Sequence, residues 1–166
     1  FWLLPLEGGS TPTPLLQAEG IQAYAQFSPD GRLLAYASDE QGPLDVFVTT
    51  VPPSGAVWQI STGGGSMPRW RRDGRELFFR ASDGSLMSVA LGTGSGAVAI
   101  DGRSPARALL TGIPADGNSP MFTYAPAGDG QRFLIAASKK AALPPITLVT
   151  GWQRELEPKR SPRDGS

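Results

Sequence analysis

Apolar positions in this chain come in short runs that polar, Gly-rich and Pro-rich punctuation cuts off after four to seven residues. No run keeps the 3.6-residue period of an amphipathic helix; the pattern is that of strands and tight turns. Strands are predicted over 24–27, 33–38, 45–51 and 57–61, then over 67–70, 76–81, 86–91 and 106–110. A third group is predicted at 121–124, 132–137 and 146–150. Before all of these, 2–6 and 13–16 read as the last two strands of an earlier unit. The stretch Leu33-Leu34-Ala35-Tyr36-Ala37 carries apolar side chains on both faces, as in a sheet covered on both sides.

The punctuation repeats. Ala25-Gln26-Phe27-Ser28-Pro29-Asp30-Gly31-Arg32-Leu33-Leu34-Ala35-Tyr36 aligns without gaps on Pro68-Arg69-Trp70-Arg71-Arg72-Asp73-Gly74-Arg75-Glu76-Leu77-Phe78-Phe79, at an offset of 43 residues. Each copy runs aromatic, two spacers, Asp-Gly, Arg, apolar stretch. A third copy over 124–135 carries Asp129-Gly130 and Arg132-Phe133-Leu134, and reads as having two extra residues before its Asp. Its offset from the second copy is 56 residues, the excess falling in the Gly-rich stretch 92–102. A period of roughly 40–45 residues with strand chemistry is that of a propeller blade.

The expected fold is therefore all-β: an incomplete β-propeller of about three to four blades, each a four-stranded antiparallel sheet. Residues 1–22 supply the last strands of a preceding blade, 23–62 one blade, 66–112 a blade with a Gly-rich insertion and 119–152 a terminal blade. The charged, Pro-broken stretch 153–166 is expected to be a disordered tail. Closed propellers have about four blades or more, so this chain is not expected to close a ring alone. It opens on Phe1, inside what already reads as a strand, and is expected to be a piece of a longer polypeptide.

Composition narrows the chemistry. The 21 glycines and 16 prolines among 166 residues are nearly double the usual combined share of roughly 12%. Fifteen basic and fifteen acidic residues cancel, which gives no whole-chain attraction to nucleic acid or an anionic membrane. There is no Cys and no His. The chain thus lacks thiolate chemistry, the commonest metal ligands and every Ser-His or Cys-His pair.

Phe27-Ser28-Pro29-Asp30-Gly31-Arg32, followed by Leu34-Ala35-Tyr36-Ala37-Ser38-Asp39 and Asp45-Val46-Phe47-Val48, resembles the WD-repeat-like propeller repeat of TolB-like proteins. The resemblance implies that Ser-Pro-Asp-Gly joins the inner two strands of a blade and that an Asp-aliphatic-aromatic motif starts the third. The second copy departs from it, with Arg71-Arg72 in place of Ser-Pro. A narrower resemblance covers about 31–152. Thr62-Gly63-Gly64-Gly65-Ser66-Met67-Pro68-Arg69-Trp70-Arg71-Arg72-Asp73-Gly74-Arg75-Glu76-Leu77-Phe78, Gly130-Gln131-Arg132-Phe133-Leu134-Ile135 and Pro145-Ile146-Thr147-Leu148-Val149-Thr150-Gly151-Trp152 are similar to the last blades of propellers appended to bacterial serine/threonine protein kinases. That resemblance implies an upstream kinase domain and a membrane span, with the propeller on the extracytoplasmic, periplasmic face of the inner membrane.

Candidate chemistry is sparse. Asp30, Asp73 and Asp129 each precede a glycine (Gly31, Gly74, Gly130) in the same hairpin, and Pro29 presets the first of the three turns. Turn geometry accounts for all three carboxylates; at most they form a weak shared cation site needing further oxygen ligands. Gly92-Thr93-Gly94-Ser95-Gly96-Ala97-Val98 superficially resembles a phosphate-cradling loop, but no Walker lysine or helix follows and no kinase signature is present. Gly117-Asn118-Ser119-Pro120-Met121 lacks the second glycine of a nucleophile elbow, and Lys139, Lys140 and Lys159 fall in loops. Arg69-Trp70-Arg71-Arg72 mixes cations with an aromatic as single-strand nucleic-acid sites do, yet Trp70 takes the place of Phe27, expected to pack between blades. Tyr36, Phe47, Trp58, Phe78, Phe79 and Phe133 are expected core.

No catalytic, cofactor-binding or metal-binding residue is expected, and no cofactor. The segment is expected to be a noncatalytic sensor or scaffold binding a protein, peptide or glycan at one rim or the central channel, with the parent's remaining blades as neighbours. Nucleic acid is not an expected partner, and membrane contact would come only through an upstream span. The rim loops 39–44 and 63–66 would present the ligand-facing groups, with Asp39, Glu40, Arg69 and Arg71 as candidates. The alternatives are the propeller of a prolyl-oligopeptidase-like serine peptidase and a TolB-like envelope scaffold.

Overall fold

Alternating side chains on strands that are apolar on both faces leave a sheet with two surfaces to cover, and here the two four-stranded sheets are covered by their neighbours. The computed structural model describes residues 1–6, 11–92, 104–111 and 123–136. These hold twelve strands in four antiparallel sheets. Strands β1 (Trp2–Leu3) and β2 (Thr13–Pro14) form a two-stranded sheet. The first four-stranded sheet is a meander of β3 (Gln22–Phe27), β4 (Leu33–Ser38), β5 (Asp45–Thr50) and β6 (Val57–Gln59). The second repeats it with β7 (Gly65–Trp70), β8 (Glu76–Ala81), β9 (Leu86–Ala90) and β10 (Arg107–Leu110). Strands β11 (Tyr124–Pro126) and β12 (Phe133–Ile135) pair as a last hairpin. The architecture is that of an incomplete β-propeller with two complete blades.

Period-two alternation decides which residue meets which neighbour. On the first complete blade, Leu34, Tyr36 and Phe47 face the β1–β2 sheet, where Phe1, Leu15 and Leu16 cover them. Leu33, Ala35, Val46 and Val48 face the other way and interlock with Trp70, Leu77, Phe79 and Val89 of the second blade. Phe78 and Leu86, on the far face of that blade, meet Tyr124, Phe133 and Ile135 of the last hairpin. Phe78 lies edge-on to Phe133 with ring centroids 4.9 Å apart. The sheets therefore stack in chain order, and burial comes from repetition.

The three Asp-Gly hairpins share one geometry. Ser28, Arg71 and Ala127 each accept from the glycine N–H three residues on (2.9 Å in all three) and donate to the carbonyl five residues on. Gly31, Gly74 and Gly130 sit at φ of 73°, 71° and 69°, the left-handed conformation that closes such a turn. The third hairpin carries no extra residues. Pro126, paired with Phe133 as Phe27 is with Leu34, occupies the place of the aromatic, and Tyr124 lies two residues earlier, so the expected two-residue excess is absent.

Phe27 also departs from expectation. Trp70, its equivalent, is 7% exposed between the blades and donates its indole N–H to the Gln26 carbonyl at 3.2 Å; Phe27 is 44% exposed. The neighbour on its side is only the short β1–β2 sheet, which covers Tyr36 and Phe47. Trp58 and Phe133 are half-buried, while Tyr36, Phe47, Phe78 and Phe79 are buried as expected. The inner strands β3 and β7 begin earlier than the pattern suggests and carry a bulge at the same repeat position, with Tyr24 at φ 57° and Met67 at φ 56°. The predicted strand at 146–150, most of the Gly-rich insertion and the charged tail lie outside the described residues.

Candidate functional site

Each blade has two ends. One, the turn rim, carries the Asp-Gly hairpins. The other, the glycine rim, carries the β4–β5 loop, the 60–64 link between blades and the β8–β9 turn.

At the turn rim the carboxylates are spent within their own hairpins. Asp30 accepts from the Ser28 hydroxyl at 2.6 Å and from the Arg32 backbone N–H at 3.1 Å; the hydroxyl, then the amide, hold its carboxyl below the ordinary range. Asp129 accepts from Gln131 N–H at 2.9 Å, with Arg132 farther off at 3.9 Å. In the second hairpin Arg71 takes over from the serine. Its Nε and Nη2 donate to the two oxygens of Asp73 at 2.8 and 2.7 Å, and its Nη1 donates to Glu76 at 2.8 Å. This bidentate pairing replaces the Ser-Pro chemistry of the first copy. A cleft of about 490 Å³ lies between the first two hairpins, lined by Pro29, Asp30, Arg72 and Asp73 among others. Among the described residues, no three acidic side chains are grouped to hold a metal ion.

The pairing has a measurable consequence. Arg71, then the Arg75 backbone N–H, hold the Asp73 carboxyl at about 2. Folding thus lowers this pKa, so whatever stability the pair contributes exists above the ordinary carboxylate range and is lost as pH falls toward about 2. Asp73 is half exposed, so solvent screening keeps that contribution small. Carbon-detected NMR titration should place the Asp73 midpoint near 2, and Arg71→Gln should raise it toward 3.8. A wild-type midpoint already at the ordinary value would contradict the pairing.

The candidate residues do not converge. Arg71 belongs to the turn rim, Asp39 and Glu40 to the glycine rim, and Arg69, half-buried, to the inner strand β7. Asp39 is occupied: its Oδ1 accepts from the Ile21 backbone N–H at 2.6 Å, tying the end of β4 back to the entry of β3. Glu40 is exposed.

Two residues that the sequence did not mark as site candidates organise the glycine rim. Asp45, 5% exposed at the start of β5, accepts from the Ser61 hydroxyl at 2.7 Å, the Gly64 N–H at 3.0 Å and the Gln59 amide at 3.3 Å. Ser61 in turn accepts from Val46 N–H at 2.8 Å. This network locks the link between the blades, and the Gly65 N–H donates to the Leu44 carbonyl at 2.7 Å. A Cβ on Gly65 would run into the Ser61 hydroxyl, so the strand can pass this close only as glycine.

The second is Arg80, 6% exposed near the end of β8. Alternation puts it on the Phe78 face, opposite Ser66 in the ladder. It lines two clefts, one of about 240 Å³ toward Leu44 and Gly63 and one of about 170 Å³ toward Met67 and Thr123. Ser66 and Ser82 line both. The Arg80 Nη1 is buried without a hydrogen-bond partner. Beneath the second cleft the Tyr124 hydroxyl donates to the Met67 carbonyl at 2.8 Å, and burial pushes its phenol well above the ordinary range. The bulge at Met67 turns that carbonyl out of the ladder and makes the bond available.

Compared with known proteins, the chain matches no protein-family model and no curated sequence.

Proposed function

We propose that this chain is a noncatalytic ligand- or protein-binding segment of a β-propeller, a sensor or scaffold whose binding surface is the glycine rim. What carries the reading is the contrast between the rims. The turn-rim carboxylates bond within their own hairpins, whereas at the glycine rim Arg80 lines two clefts and buries its Nη1 with no hydrogen-bond partner. Buried polar groups are ordinarily satisfied, and an exception on a cleft is a place for a ligand. The absence of His and Cys from the sequence leaves no imidazole or thiol for acid–base or nucleophilic work at that place.

The finer reading is that these are the C-terminal blades of a propeller carried by a bacterial serine/threonine protein kinase, presented on the extracytoplasmic face of the inner membrane. It rests on the resemblance of 62–78, 130–135 and 145–152 to such propellers. Kinase activity would belong to the parent, and this segment should transfer no phosphate from Mg-ATP. The coding sequence around the segment tests the assignment: a kinase catalytic loop and metal-binding motif followed by an apolar span are expected upstream. A hydrolase domain downstream would instead identify a prolyl-oligopeptidase-like peptidase. A reading frame with neither, under a periplasmic signal, would identify a TolB-like scaffold.

A further inference from the structure

An arginine that is 94% buried is costly to leave unmatched, because desolvation of its donors must be offset by acceptors. Arg71 shows the usual solution, with Nε, Nη1 and Nη2 all bonded to carboxylates. Arg80 has no such partner at its Nη1, and among the described residues no carboxylate forms an ion pair with it. The nearby Asp83 is turned to its own backbone, accepting from Ser85 N–H at 2.8 Å.

The surroundings indicate which anion fits. Gly63-Gly64-Gly65 resembles a phosphate nest in sequence, but two of its three amides are committed, Gly64 N–H to Asp45 and Gly65 N–H to Leu44. The Ser82 hydroxyl donates to the Gly63 carbonyl at 3.0 Å. What remains at the clefts is Arg80, the Ser66 hydroxyl across the ladder from it and, at the second cleft, the Thr123 hydroxyl, engaged only with the Met67 sulfur at 3.6 Å. One cation with one or two hydroxyls suits a singly charged planar oxyanion, whereas a phosphate calls for more positive charge. The described lining of both clefts contains no aromatic ring on which a sugar could stack; it is small residues with Leu44 and Met67.

We propose that Arg80 and Ser66 form a carboxylate-binding subsite at the glycine rim, which takes an acidic side chain or the C-terminal carboxylate of an extended peptide segment from a partner protein. The proposal deepens the binding-segment reading and rests on it.

The test is an NMR titration of the full 166-residue chain, following the Arg80 Nε–H and Ser66 amide signals. The probes are a capped glycine pentapeptide with a central Asp, pentaglycine with a free C-terminus, the fully amidated neutral pentapeptide, glucuronate and inorganic phosphate. Saturable shifts at both residues with one or both acidic peptides, and none with the neutral one, support the subsite; the responding peptide identifies the carboxylate's source. Arg80→Gln should weaken that binding about tenfold or more, Arg80→Lys should restore part of it, and Ser66→Ala should weaken it severalfold. Ser66→Ala also keeps the test valid should Arg80→Gln fail to fold. Equal response to the neutral peptide, tighter binding of phosphate or glucuronate, or no response to any probe at roughly 10 mM would overturn the subsite. These results leave untouched the assignment of the segment to a kinase-borne propeller, which the surrounding coding sequence tests separately.

Discussion

Phe78→Ala should destabilise the protein by about 3–5 kcal/mol, the range for deleting a fully buried aromatic, and lower its melting temperature by roughly 10 °C. Phe78 is fully buried and stands at the junction of three elements: it lies on the face of β8 that meets β11 and β12, and its ring abuts Phe133 edge-on. The neighbouring hairpin cannot collapse to fill the gap, because Gly130 already packs so closely that a Cβ there would reach the Phe78 ring at 3.1 Å and Arg71 at 2.7 Å. Phe133 is only half-buried, so Phe133→Ala should cost less, and a double-mutant cycle between them should return about 0.5–1.5 kcal/mol of coupling. Phe27→Ala is the control. It removes the same side chain from an exposed position and should cost less than about 1 kcal/mol. Urea denaturation with a two-state fit measures all four; equal effects at Phe78 and Phe27 would contradict the stacking.

The second large effect is at a polar residue. Asp45→Ala should cost about 2–4 kcal/mol, because it leaves the Gly64 N–H without its acceptor and removes the partner that orients Ser61. Asp45→Asn retains one carbonyl acceptor and should cost roughly half as much. The damage should be local as well as global. Amide exchange at Gly64 and Gly65 should accelerate well beyond the change at Leu77 or Val89, which the same substitution leaves packed. Since this network shapes the cleft beside Arg80, Asp45→Ala should also weaken carboxylate binding there. A variant with unchanged stability and unchanged Gly64 exchange would show that the network does not hold the rim.

How far the chain could be read in advance follows from which residues announce themselves. Strands β4 and β8 begin and end where their apolar runs do, since Leu33-Leu34-Ala35-Tyr36-Ala37 and Leu77-Phe78-Phe79 are short, two-faced and bounded by turn residues. The Asp-Gly turns were equally legible, because only glycine closes them without strain. The bulges at Tyr24 and Met67 were not: tyrosine and methionine carry no local signal for positive φ. Phe27 and Trp70 occupy one place in the repeat yet differ in burial, because burial belongs to the adjacent blade and not to the residue. Asp45 was visible only as the first residue of a strand motif, with partners 14 to 19 positions away. Arg80 was hidden completely. In the run Leu77-Phe78-Phe79-Arg80-Ala81 it reads as a solvated strand end, whereas in the fold it is buried and shares a cleft with Ser66 and the glycine link.

The central claim is that four-stranded sheets stack face to face in chain order, and the most direct measurement is the set of proton–proton NOEs between side chains of different sheets. The account predicts strong NOEs between the Phe78 and Phe133 rings, between Trp70 and the side chains of Leu33 and Val46, and between the rings of Phe1 and Tyr36, together with slow solvent exchange of the Trp70 indole proton. NOEs confined to strands of the same sheet, with the Trp70 indole exchanging freely, would contradict it.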